Sequence, residues 1–119
     1  MINDICILLI AHFIGDFLCQ NRYIATRKSE DFLVLTFHVI IYSTVMYLVS
    51  SFFLSNKINV DYFNAFNFIA HLITDFLTSR LNKFNYKRHG VGYLFFSGIG
   101  LDQLIHSLTI ILSYNYFIK

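Results

Sequence analysis

Residues 10–18 read IAHFIGDFL, and residues 69–77 read IAHLITDFL. The two phrases agree at seven of nine positions, and each sets a His four residues before an Asp: His12 with Asp16, and His71 with Asp75. Residues i and i+4 share a helix face, so each phrase presents an imidazole beside a carboxylate. Both phrases lie in strongly apolar surroundings, where ionisable side chains are costly and mark function. Two copies of one phrase point to a duplicated half-site that closes on something shared.

The copies are 59 residues apart in a chain of 119, so the repeat divides the sequence into two halves, 1–59 and 60–119, within one domain. Hydrophobic residues make up 56%, charged residues 13%, and the mean hydropathy is +0.58, which places the chain with membrane proteins rather than soluble domains. Four hydrophobic segments follow, at about residues 2–20, 32–54, 62–80 and 92–118. The second carries no formal charge and is long enough to span a bilayer. Segments one and three are interrupted by the polar residues of the repeat. The expected fold is all-α: a four-helix transmembrane bundle built from two similar helical hairpins. Each half has two spans, so this is a parallel internal repeat.

The connections at about 21–31 and 80–91 hold Arg22, Arg27, Lys28, Arg80, Lys83, Lys87 and Arg88, whereas that at about 55–61 holds only Lys57. The positive-inside rule puts the two basic connections in the cytoplasm and both termini outside. The net charge of +2 falls in these short connections and gives no reason to expect nucleic acid. Cys6 and Cys19 fall about 20 Å apart on one expected helix, too far for a disulfide, and read as buried thiols. No signal-peptide pattern precedes the first segment, which reads as a retained helix.

Counting from the cytoplasmic ends, His12, Asp16, His71, Asp75, Asp102 and His106 fall in the same half of the bilayer. They form three i,i+4 pairs on three helices. An unpaired charged Asp at that depth costs at least about 2.5–3.5 kcal/mol. A divalent cation neutralises carboxylates and takes neutral imidazoles, so these six residues are the candidate metal ligands, with zinc as the expected ion and manganese or iron also suited. One pair alone would read as a self-satisfied contact that tightens helix packing. Three pairs at one depth read as a shared site. His38, Gln20 and Gln103 are candidates to support the ligands or bind substrate, and Asp16, Asp75 and Asp102 are the candidate catalytic carboxylates. His89 reads as solvated. Gly15, Gly98 and Gly100 read as positions of close helix approach.

The segments AHFIGDFLCQ (11–20), FHVIIYS (37–43), AHLITDF (70–76) and LDQLIH (101–106), with the basic stretch after the first, resemble a family of small bacterial and phage integral membrane proteins of unknown function. Its pattern is HxxGDFxxQ in the first helix, an early His in the second, HxxxD in the third and DQxxH near the end. It maps onto His12, Gly15, Asp16, Gln20, His38, His71, Asp75, Asp102, Gln103 and His106. Tyr23 stands where the pattern carries Trp. The resemblance implies a multi-pass protein of the bacterial inner membrane. A looser likeness, to membrane-bound metal-dependent hydrolases, implies hydrolysis.

The function expected from these readings is a membrane-embedded metal-binding protein. It acts as a metal-dependent hydrolase on a lipid headgroup or lipid-linked substrate near the cytoplasmic face. The chain carries no HExxH or GxSxG. The competing classes are a divalent-cation or proton transporter using the same His/Asp ladder, and a phage or host membrane interaction protein. The glycine-lined faces would accommodate a homo-oligomer.

Overall fold

The computed structural model describes residues 2–119, and among them it contains helices and no strand. Helix α1 (Ile2–Phe13) runs into a π-helical turn (Ile14–Leu18), closed by the Cys19 N–H donating to the Ile14 carbonyl at 2.9 Å. Short α2 (Arg22–Arg27) follows, then α3 (Phe32–Phe53), α4 (Val60–His89) and α5 (Tyr93–Phe117). Asn21 starts α2 and Asp31 starts α3, each accepting a backbone N–H at 2.9 Å through its side chain. Gly90 ends α4 at φ +68°, a left-handed conformation that glycine adopts without penalty.

The four long helices form a closed ring. Helix α1 packs on α3, α3 on α4, α4 on α5, and α5 returns to α1, leaving α1 and α4 on one diagonal and α3 and α5 on the other. The repeat phrases therefore come from diagonal helices and meet only through side chains. At the end that holds the start of α1, Asp4 accepts hydrogen bonds from the Ser55 hydroxyl (3.0 Å) and the Tyr114 hydroxyl (2.9 Å). The apolar core lies inward of it, built from Leu8, Tyr42, Met46, Phe63 and Ile110 among others. The His/Asp residues occupy the opposite half.

Beside this apolar core, ionisable side chains are buried and many large apolar ones are exposed. Asp16, His38, Asn67, His71, Asp75 and His106 are buried, while Leu33, Phe52, Leu104 and Leu112 are exposed. Helices α3 and α5 are long and apolar enough to cross a membrane.

Several expectations are corrected. Of the four expected spans, the first is the continuous rod of α1 (12 residues) and the π-turn (5 residues), about 25 Å at the helical rise, somewhat short of the roughly 30 Å hydrocarbon core. Helix α4 has the length but is too polar to qualify by composition. The expected loop over 80–91 is helical up to His89. Its basic residues are compatible with helix and favourable at a C-terminus, so charge there marks polarity and not a chain break. The first connection contains α2. Cys6 and Cys19 are free and exposed rather than buried, because both fall on the outward face. Gly100 meets no neighbouring atom where a side chain would start, whereas Gly15 and Gly98 do.

Gly15 is where the ring is tightest. A Cβ there would lie 3.2 Å from the Tyr42 Cα and 3.2 Å from its ring. Backbone cannot yield as a flexible side chain can. Gly15→Val is therefore expected to lower stability by about 1–3 kcal/mol, read as a drop in thermal midpoint. An unchanged midpoint would mean that the π-turn and α3 are not in backbone contact at this position.

Candidate metal centre

The π-turn carries Asp16, α3 carries His38, α4 carries His71 and Asp75, and α5 carries Asp102 and His106. His38 Nε2 lies 3.1 Å from Asp16 Oδ1 and 3.1 Å from Asp75 Oδ2, and so joins the two copies of the repeat. His71 Nε2 lies 3.6 Å from each of the same two oxygens and has no hydrogen-bond partner. His106 Nε2 is 3.0 Å from Asp75 Oδ1 and 3.3 Å from Asp102 Oδ1.

An imidazole nitrogen carries at most one hydrogen, so His38 cannot donate fully to two carboxylates at once. Two carboxylate oxygens and two imidazole nitrogens thus face one another, with Lys28 reaching Asp75 Oδ2 as well, and His71 Nε2 is left as an orphaned buried polar atom. That donor chemistry fits a cation. Asp16, His38, His71 and Asp75 offer one donor atom each, all within 4.8 Å of one another, and Asp16, Asp102 and His106 form a second such group. The buried His and Asp side chains are positioned to hold a metal ion.

Packing orients these rings. His71 stacks between Tyr42 (centroids 3.7 Å apart, 17°) and His106 (4.1 Å, 22°). The Nδ1 atoms of His12, His38 and His71 make no hydrogen bond, so stacking and helix contacts, rather than Nδ1 partners, set the ring planes of these histidines. A lysine completes the electrostatics: Lys28 Nζ, from the connection after α2, donates to Asp75 Oδ2 at 3.0 Å.

The sequence-derived residues are distributed unevenly. Asp16, His71, Asp75, Asp102 and His106 converge. His12 stands aside from both donor groups: its Nε2 pairs with Gln103 Oε1 at 3.0 Å and is 3.7 Å from Asp16 Oδ2. His38, read from sequence as a supporting residue, contacts both repeat carboxylates directly. Gln103 Nε2 donates to Asp16 Oδ2 (3.1 Å) and Asp102 Oδ2 (2.9 Å), bridging them. Gln20 lines the adjacent cavity, and its Oε1 is buried without a partner.

Tyr42 and Thr78 are site residues that sequence reasoning missed, and Lys28 reads from sequence only as one of several connection basics that could attract an anionic headgroup. Thr78 donates to Asp102 Oδ1. The available signals were spacing: Tyr42 is one turn after His38, and Thr78 is three residues after Asp75, on the same faces. No spacing signal pointed to the contact of Lys28 with Asp75, since a lysine in a connection is also explained by topology.

A cavity of about 590 Å³ opens beside the cluster. Asp16, Asp102 and Gln103 line it, with Phe17 and Phe95 among its apolar walls and Lys28, Lys83 and Lys87 among its basic lining. This volume falls in the range of small-molecule sites.

The family model described as "Protein of unknown function (DUF3307)" matches residues 5–119, and the chain belongs to that family. No curated protein and no solved structure matches the chain.

Proposed function

We propose that this DUF3307 protein is a membrane-embedded, metal-dependent hydrolase whose substrate is an amphiphile with a phosphate-bearing headgroup, a lipid or a lipid-linked intermediate. The observation that carries the reading is the juxtaposition of a buried His/Asp donor set with a cavity that combines aromatic walls and lysines. Aromatic walls suit an acyl or prenyl chain, and lysines suit a phosphate. The many exposed large apolar side chains support placement in a bilayer, with the basic segments on the cytoplasmic side of a bacterial inner membrane. The donors suit zinc, and manganese or iron would also fit.

A divalent cation held there would supply Lewis-acid polarisation of the phosphoryl group and make water acidic near neutral pH. The chain's own residues would do the rest. Lys87 and Lys83, the latter also paired with Glu30, would hold the headgroup, while Lys28 stays on Asp75. Phe17 and Phe95 would exclude water from the chain-bearing side. Hydrolysis forms a bond from the water oxygen to phosphorus and breaks the bond from phosphorus to the leaving oxygen. The water proton passes to the Asp102 carboxylate, which faces the cavity, and from there to the leaving oxygen.

The test is phosphate release from lipid phosphates and from a short soluble phosphate ester, with zinc or manganese and after chelation. Turnover is expected on the lipid substrate only, and only with metal. Asp102→Asn is expected to lower the rate by at least about 100-fold. Absence of turnover on every phosphoester with any of these metals would overturn the reading.

Conduction of a cation or proton is the second reading, favoured by one observation. Buried polar pairs continue from the cluster towards the other end of the bundle: Asn67 with Ser113 (2.9 Å), Asn64 with Ser50 (2.8 Å), then Asp4 with Ser55 and Tyr114. Leu8, Met46, Phe63 and Ile110 fill the space among them, which weakens a continuous path. Metal or proton uptake into sealed vesicles would favour conduction over hydrolysis.

A further inference from the structure

We infer that the centre is built for two cations with different roles, a resident ion in the closed donor group and a second ion, bound together with the anionic substrate, in the open one. This rests on the metal-binding reading above and divides its site in two.

The two donor groups share Asp16 and differ in access. His38, His71 and Asp75 are at most 2% exposed, and none of them lines the cavity. With Asp16 they supply four protein donors, the number that closes a tetrahedral site. Asp16, Asp102 and His106 supply three, and two of these line the cavity. Three protein donors beside a cavity leave a coordination position for a ligand.

The carboxylates are split in the manner that two ions require. Asp75 turns Oδ2 to His38 and Lys28, and Oδ1 to His106. Asp16 turns Oδ1 to His38 and Oδ2 to Gln103. Each therefore has one oxygen on the closed side and one on the other side. This is the arrangement by which carboxylates serve paired metals that clamp a displacement at phosphorus.

Charge ranks the two sites. Asp16, Asp75 and Asp102 carry three negative charges, and one divalent ion with Lys28 balances them. A second divalent ion leaves an excess of positive charge, which a phosphate in the cavity removes. Gln103 adds to the ranking, because its amide already holds Asp16 Oδ2 and Asp102 Oδ2 and must turn away to admit an ion between them. The open site is therefore the weaker one and is linked to phosphate.

The experiment is titration of metal-free protein with Mn²⁺, following the free-ion electron paramagnetic resonance signal, with and without inorganic phosphate. Two classes of site are expected, and phosphate should tighten the weaker class only. Asp102→Asn should weaken that class by at least about tenfold and leave the tighter class intact, which also shows that the variant is folded. A single class in the parent, or equal weakening of both classes by Asp102→Asn, would overturn the two-ion inference and leave a one-metal hydrolase standing. Absence of any binding in the parent would overturn that reading as well.

Discussion

Asp75→Asn is expected to abolish tight metal binding and to destabilise the fold by about 3–5 kcal/mol, the range for removing one member of a buried charged network. Asp75 is 1% exposed and is approached from three directions: Lys28 Nζ donates at 3.0 Å, His106 Nε2 lies at 3.0 Å and His38 Nε2 at 3.1 Å. An asparagine fills the same volume but loses the charge. Whichever way its amide is turned, an NH₂ group confronts either the Lys28 ammonium or the His106 ring. Asp16 has no such lysine, and Asp102 keeps contact with the cavity, so neither should be as damaging to stability. Metal content per chain and denaturant unfolding measure the two effects separately. Retention of a tightly bound ion by Asp75→Asn would place the metal elsewhere.

The second large effect separates two residues that the repeat makes look equivalent. His71→Ala is expected to weaken binding of the resident ion by more than about 100-fold, beyond the range typical of residues that only support a ligand. His12→Ala is expected to weaken it by about tenfold or less. His71 Nε2 faces Asp16 and Asp75 with no competing partner, whereas His12 Nε2 is held by Gln103. The comparison is made by competition with a metal-sensitive dye. Equal losses in the two variants would restore the symmetric half-site suggested by the repeat.

The structural asymmetry has an identifiable source. The first phrase carries Gly15 where the second carries Thr74, and only the first adopts a π-turn. Gly15 lets the chain press against the Tyr42 backbone, and the widened turn ends the helical rod soon afterwards, at Leu18. Around Thr74 the helix stays regular and continues to His89. π-Turns recur at functional sites because they reorient side chains inside a helix. The partners also break the repeat: position 97, in register with His38, is a serine, and position 47, in register with His106, is a tyrosine.

Much of the molecule follows from local chemistry and was legible from the chain. The 22 uncharged residues of α3, begun by Asp31 as N-cap, need no partner to read as a helix. The i,i+4 spacing of each His–Asp pair fixes that both members lie on one face, because 3.6 residues per turn is a property of the backbone. The composition fixed that those faces are polar exceptions in an apolar chain. None of this depends on which helices become neighbours.

What only the tertiary structure decided is which polar faces meet. Periodicity orders residues along one helix and is silent on the rotation and pairing of several. A lone histidine on an apolar helix looks the same whether it packs or binds, so His38 became central only once α3 lay between α1 and α4. Lys28 belonged to a basic connection until folding set its ammonium on Asp75. His12 and His71 occupy the same place in the same phrase, and the difference between them arises entirely from the side chains that the ring of helices brings opposite each.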